Sequence, residues 1–207
     1  MNTKNSYELI LSNKELIWLV DLDDTLYQSK SEIMKTIDKR ISYFLSYKCR
    51  CNLKEAEKIR TLLFSKYKNS FIGAVKEKII TFEEIYEYLT FVHNFDPSEN
   101  IKINKPVIEM IKRVKGKKYI FSNSIASYIK RILLYLNLES EFEGIFDLEK
   151  FGYTFKPDLE PFKIVMKELN ISPNNLILLD DSEENLAVGQ SLGLRVINTK
   201  LLNKTIL

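Results

Sequence analysis

Three segments expected to form strands end in short polar clusters. Leu16-Ile17-Trp18-Leu19-Val20 leads into Asp21-Leu22-Asp23-Asp24-Thr25, Lys118 to Phe121 into Ser122-Asn123-Ser124, and Leu176 to Leu179 into Asp180-Asp181. A fourth segment, Phe155-Lys156-Pro157-Asp158, opens an expected helix through Leu169. In open parallel sheets ligands bind beyond the carboxyl ends of the strands, so these segments are expected to converge on one edge. Carboxylates, small hydroxyl and amide groups and one lysine suit a phosphate and a hard divalent cation. Mg²⁺ takes oxygen ligands from one or two carboxylates, completed by water and substrate phosphate. Crowded carboxylates repel and are driven to protonate unless a dication lies among them. Asp21 is the candidate nucleophile, able to attack phosphorus and form an aspartyl-phosphate. Asp23 is the candidate acid and base for the leaving oxygen and then for water. Lys156, Ser122 and Asn123 are the candidate phosphate holders, and Lys156 and the metal would stabilise equatorial charge.

The elements that must position these groups follow from periodicity. A strand is expected over about Glu15 to Asp21. From about Ser29 to Phe95 the pattern is helical, with Ile33, Ile37, Ile41, Phe44 and Leu45 forming one stripe, a second helix at Leu53 to Tyr67, and a third opening at Thr81, where Thr81 and Glu84 have capping-box spacing. Beyond Asn94-Phe95-Asp96-Pro97 strands and helices alternate, which implies a parallel sheet with helices on both faces. Short strands are expected at Lys118 to Phe121, Gly144 to Asp147, Leu176 to Leu179 and Leu194 to Ile197, with helices at Pro106 to Val114, Ile125 to Tyr135 and Glu183 to Leu192. The expected architecture is an α/β, doubly wound, Rossmann-like core over residues 1–28 and 104–207, with an all-helical insertion at 29–103.

Composition narrows the chemistry. The chain has 207 residues, ample for a sizeable core without a disulfide or metal staple. His93 is the single histidine, so a two-histidine zinc site is excluded. It is expected at the surface or partly buried at the end of a helix. Cys49 and Cys51 are the two cysteines, too few for a Cys-rich scaffold, and read as reduced thiols. No run approaches the roughly 18 apolar residues of a membrane span, and the N-terminus lacks a secretory signal pattern, so a cytoplasmic protein with no membrane partner is expected. The net charge of +3 is spread among acids; the densest basic run, Lys112 to Lys118, reads as a solvated face rather than a nucleic-acid site. Phe64, Tyr67, Phe71 and Phe82 are expected mainly in the core of the helical block.

Together, Asp21-Leu22-Asp23-Asp24-Thr25-Leu26-Tyr27, Ser122-Asn123, Lys156-Pro157-Asp158 and Asp180-Asp181-Ser182 resemble the four ordered motifs of the haloacid dehalogenase superfamily of phosphatases. The helical block sits where that superfamily inserts a helical cap. The resemblance implies that Asp21 is nucleophile and metal ligand, and that Asp23 is acid/base and binds Mg²⁺ through its main-chain carbonyl. It implies that Ser122 and Asn123 meet the phosphoryl group and that Lys156 steadies nucleophile and phosphate. Asp181 would ligate Mg²⁺ directly and Asp180 through water or as support. Dehalogenases of the superfamily lack the second acid, so Asp23 favours phosphoryl chemistry. Asp-Asp-Thr-Leu-Tyr, Arg60 to Tyr67, Phe95-Asp96-Pro97 and Asp180 to Asn185 are further similar to the pyrimidine 5′-nucleotidase branch, although Ser122-Asn123-Ser124 stands where Thr-Asn-Ala is usual. That likeness implies a small phosphorylated metabolite as partner, a nucleoside 5′-monophosphate. A sugar-phosphate phosphatase, a phosphomutase and a silent metal- and phosphate-binding module share the motifs.

Two other arrangements fit less well. Asp21, Asp23, Thr25 and Glu32 match positions 1, 3, 5 and 12 of a calcium loop, but position 6 is Leu26 instead of glycine and a strand precedes it. A phosphoacceptor receiver domain uses similar strand-end residues but carries no helical insertion.

Overall fold

The apolar run before Asp21 becomes strand β1 (Ile17–Val20), the central strand of a five-stranded sheet. The computed structural model describes residues 3–28 and 32–202. Helix α1 (Thr3–Ser12) precedes β1, and the short strand β2 (Tyr27–Gln28) follows it. Helices α2 (Glu32–Cys49), α3 (Leu53–Tyr67), α4 (Ser70–Lys76) and α5 (Ile85–His93) come next. Alternation then begins: β3 (Lys102–Ile103), α6 (Lys105–Arg113), β4 (Lys118–Phe121), α7 (Ala126–Leu136), β5 (Gly144–Phe146) and α8 (Leu159–Glu168). The described chain ends with β6 (Leu176–Asp180), α9 (Glu183–Ser191), β7 (Arg195–Asn198) and α10 (Thr199–Leu202). Two compact units result, Met1–Gln28 with Ile101–Leu207, and Ser29–Asn100.

The sheet order is β5-β4-β1-β6-β7 and every pairing is parallel. This is the α/β, Rossmann-like arrangement that the alternation implies. Register carries the site: Val20 is level with Ile120 on β4 and with Leu179 on β6, so the next residues, Asp21, Phe121 and Asp180, reach one height. Because β1 has later strands on both sides, its carboxyl end is where connections diverge and leave a crevice. β6 is buried along its whole length, including Asp180. Beneath the edge, the Phe121 ring meets Phe151 and Phe162 edge-on at centroid distances of 5.4 and 5.0 Å. Such pairs add about 0.5–1.5 kcal/mol to the burial of each ring.

Four local expectations change. Residues 101–103 belong with the sheet unit, because Ile103 and Lys102 pair antiparallel with Tyr27 and Gln28. The division therefore falls before Ile101 and not at 104. The helix expected from Thr81 starts at Ile85. The Glu84 carboxylate accepts the Thr81 amide at 2.7 Å and pairs with Lys48 at 2.6 Å, which holds Thr81–Glu84 as a turn. Helix α4 is an addition, capped by Asn69, whose side chain accepts from the Phe71 and Ile72 amides. Finally, the basic run is not a uniformly solvated face. Lys118 is buried, and its ammonium donates to the Ile111 and Val114 carbonyls and to Glu141. It thereby satisfies the carboxyl end of α6, where a cation is favoured.

The helical unit has its own core. Ile33, Ile41, Phe44 and Leu45 line the buried side of α2, and Phe44 packs edge-on against Tyr88 at 4.9 Å. A full capping box between Asn52 and Glu55 starts α3 where the periodicity places it. His93 is buried, its Nδ1 2.8 Å from the Leu89 carbonyl. Phe71 is buried, whereas Phe64 and Phe82 are exposed, contrary to their expected place in this core.

One close approach underlies the sheet. The loop into β4 passes the residue before β1 so tightly that a Cβ on Gly116 would lie 2.1 Å from the Leu16 carbonyl oxygen. Backbone cannot yield as a side chain can. Gly116→Ala is expected to destabilise the protein by about 1–3 kcal/mol, the usual range for overpacking, measured as a lowered urea midpoint.

Candidate active site

Lys156 joins the strand ends. Its Nζ donates to Asp21 Oδ1 at 2.8 Å, to Asp180 Oδ2 at 2.9 Å and to the Phe121 carbonyl at 2.7 Å, and lies 4.8 Å from the centroid of the Phe121 ring. The residue is only 3% exposed. Three acceptors match the three N–H bonds of an ammonium, so the buried charge is fully hydrogen-bonded. The backbone of Lys156 is held in turn by Asn123, whose amide nitrogen donates to the Lys156 carbonyl at 2.9 Å while its oxygen accepts the Lys156 amide at 2.8 Å. Asn123, expected beside a phosphate, thus supports the lysine. The helix after Lys156 begins at Leu159, later than expected, and the Lys156–Pro157 peptide is cis.

Asp180 is buried at the end of β6 and at the start of α9. Its Oδ1 accepts the Ser182 amide at 2.9 Å, and Asn185 Nδ2 reaches Oδ1 at 3.1 Å and Oδ2 at 3.0 Å. Ser182 caps α9, and the positive end of a helix favours the carboxylate. Asp181 is half-buried; its Oδ2 and its carbonyl each stand 2.9 Å from Lys200 Nζ at the start of α10. Asp21, Asp180 and Asp181 each offer an oxygen within 4.8 Å of the others. Three hard oxygen donors at that spacing fit Mg²⁺, which takes the rest of its octahedron from water and substrate. The Asp23 carboxylate lies outside this set.

Ser122 is buried, its amide donating to the Phe146 carbonyl at 3.0 Å and its Oγ accepting the Ser124 amide at 3.1 Å. Ser124 Oγ donates to Asp23 Oδ2 at 2.9 Å, and the Tyr27 hydroxyl donates to Asp23 Oδ1. Five residues at this edge were not singled out from the sequence as site residues: Tyr27, Ser124, Tyr128, Asn185 and Lys200. Tyr27, Ser124 and Asn185 lie inside the recognised motif runs, so proximity in sequence was a usable signal. Tyr128 and Lys200 carried none, because α7 and α10 bring them in.

Burial pushes the Asp21 carboxyl up to about 8; Lys156 opposes that shift, and Asp180 and Asp23 reinforce it. For Lys156, burial works against the charge, but Asp21 and Asp180 outweigh it and hold the ammonium above its usual range. The lysine therefore remains the fixed charge and Asp21 the group that titrates. Lys156→Met leaves two buried carboxyls without their shared cation, an error worth roughly 3–5 kcal/mol. Urea denaturation of the metal-free variant is expected to show that loss as a lowered midpoint.

The chain is similar to known proteins in sequence and in fold. Residues 18–193 match the family described as haloacid dehalogenase-like hydrolase. An uncharacterized protein of Methanocaldococcus jannaschii is 32% identical over 152 residues, 65% of this chain and 33% of that one. The matched region is thus about a third of the length of this curated relative. Among solved structures, the HAD phosphatase of Thermococcus onnurineus aligns with a TM-score of 0.59 at 15% identity over 88% of this chain and 85% of its own. The HAD-hydrolase YfnB of Bacillus subtilis, bound to magnesium, aligns with a TM-score of 0.57 at 19% identity over 89% and 88%. The L-2-haloacid dehalogenase of Xanthobacter autotrophicus aligns with a TM-score of 0.55 at 10% identity over 93% and 84%. With the strand-end aspartates, the buried lysine and a family match spanning most of its length, the chain belongs to the haloacid dehalogenase-like hydrolases.

Proposed function

We propose that the protein is a Mg²⁺-dependent phosphomonoesterase, working in the cytoplasm through an aspartyl-phosphate on Asp21 and hydrolysing nucleoside 5′-monophosphates. The observation that carries it is the Lys156 ammonium shared by Asp21 and Asp180, beside a three-aspartate oxygen set that fits Mg²⁺. The substrate class rests on the likeness of Asp24 to Tyr27, Arg60 to Tyr67 and Asp180 to Asn185 to pyrimidine 5′-nucleotidases. The helical unit Ser29–Asn100 is then the cap that carries substrate choice.

In the first step an Asp21 oxygen attacks phosphorus and the ester P–O bond breaks. The leaving oxygen keeps the electron pair and takes a proton from Asp23. In the second step Asp23 accepts a proton from water, whose oxygen attacks the same phosphorus and releases phosphate from Asp21. Ser122 and Lys156 hold phosphoryl oxygens, and Lys156 keeps Asp21 aimed. Mg²⁺, when bound by the aspartates, supplies positive charge for the carboxylates and the phosphoryl oxygens.

Two measurements test this. Hydrolysis of p-nitrophenyl phosphate is expected with Mg²⁺, to vanish with chelator, and to fall to background in Asp21→Asn; activity retained in that variant refutes the covalent step. A screen of nucleotides, sugar phosphates and phospho-amino acids is expected to favour pyrimidine monophosphates. Preference for a sugar phosphate overturns the substrate assignment, and transfer to an acceptor in place of phosphate release indicates a mutase. Burial holds the Asp21 proton up to about pH 8, so binding of Mg²⁺ by Asp21 at lower pH would release it. Calorimetry in buffers of different ionisation heat is expected to show about one proton released per ion at pH 6.5, with affinity rising up to tenfold per pH unit until about pH 8.

A further inference from the structure

Asp23 follows the proposed nucleophile by two residues, and both oxygens of its carboxylate meet side-chain hydroxyls. The Tyr27 hydroxyl donates to Oδ1, and Ser124 Oγ donates to Oδ2 at 2.9 Å. Behind Tyr27, the Tyr128 hydroxyl stands 3.1 Å away. Tyr27 and Tyr128 are fully buried, and Ser124 is 7% exposed. Their placement is set by separate pieces of backbone. Tyr27 is fixed by the pairing of β2 with β3, opposite Ile103. Ser124 is fixed by its amide on Ser122 Oγ and by its carbonyl, which accepts the Leu148 amide at 3.2 Å. Tyr128 is carried in the first turn of α7.

Burying three hydroxyls is unfavourable unless each finds a partner, and here they find one another and a single carboxylate. An acid that must deliver a proton to one oxygen gains from being held in one rotamer, because misplacement of about 1 Å can cost about a hundredfold in rate. We propose that Tyr27, backed by Tyr128, and Ser124 are positioning residues that hold the Asp23 carboxyl for protonation of the leaving oxygen. The proposal rests on the reading of Asp23 as the acid of a phosphomonoesterase. Hydroxyls suit the task because each can donate or accept. Facing the carboxylate, both donate. When one Asp23 oxygen carries a proton, the hydroxyl opposite turns its own hydrogen away and accepts; Tyr27 can turn toward Tyr128. As that proton passes to the leaving oxygen and the P–O bond breaks, the hydroxyls turn back, and no heavy atom has to move.

The test uses leaving groups. A 2,4-dinitrophenolate departs without a proton, whereas an alkoxide or phenolate needs one. The value of kcat/KM reports the steps through phosphorylation of Asp21 and is to be compared for 2,4-dinitrophenyl, phenyl and alkyl phosphates with Mg²⁺. In Tyr27→Phe and Ser124→Ala, the ratio of kcat/KM for the alkyl ester to that for the dinitrophenyl ester is expected to fall at least about tenfold, and further in Asp23→Asn, within the range assigned to general acids. Tyr128→Phe keeps the ring and both contacts to Asp23 and is expected to show a smaller fall in the same ratio. If Tyr27→Phe folds poorly, Ser124→Ala alone decides the matter, its circular dichroism and melting being compared with those of the parent. Equal losses on all esters, or no loss, overturn the positioning role. If Asp23→Asn changes the ratio and the hydroxyl variants do not, this inference fails while the acid assignment stands. If the unaltered protein hydrolyses none of the esters, it is the phosphomonoesterase reading that fails.

Discussion

A buried ammonium between two buried carboxyl groups is the constraint around which the candidate site is arranged. In a low-dielectric setting a lysine with no counter-charge is too costly to keep, and so is either aspartate without the lysine. Each therefore obliges the others to be where they are. The parallel register of β1, β4 and β6 brings Asp21, the Phe121 carbonyl and Asp180 to one level, so that one cation can reach all three. Asn123 then locks the lysine's own backbone from the neighbouring strand end. The aromatic cluster of Phe121, Phe151 and Phe162 is the floor beneath that charge, which links core packing to the placement of the site.

A second device works on the other acid. Asp21 is governed by charge and burial, whereas Asp23 is engaged by neutral hydroxyls of Tyr27 and Ser124. Two carboxylates two residues apart thus sit in environments of different kind. That separation suits a pair in which one group must be ionised to attack while the other must both give up and take back a proton.

Much of this was legible in the sequence, for physical reasons that can be named. Strands β1 and β6 are continuous apolar runs up to their ends because a parallel sheet is covered on both faces, and their polar ends stand out against that background. Helix α3 was legible from its periodicity over Leu53 to Tyr67, and the structure closes those two ends with the Asn52–Glu55 box and a left-handed Lys68. What was hidden depends on groups distant in sequence. Nothing near Thr81 reveals that Lys48 draws Glu84 into a turn, and nothing near Lys118 reveals that it will be buried against the end of α6. The Ser122-Asn123 pair stood out at the end of its strand, but the direction of the Asn123 amide follows from where Lys156 lies, 33 residues on. Tyr128 and Lys200 reach the site only because their helices pack there.

Lys200 gives the site a property that its row of aspartates conceals. Asp21, Asp180 and Asp181 would together carry three negative charges, yet Lys156 and Lys200 return two, and the proton that burial keeps on Asp21 accounts for the third. Counted over those three aspartates, the chain's own groups nearly cancel the charge that a dication would otherwise meet. A metal ion held there would stand among carboxylates already compensated, and would share Asp181 with the ammonium of Lys200.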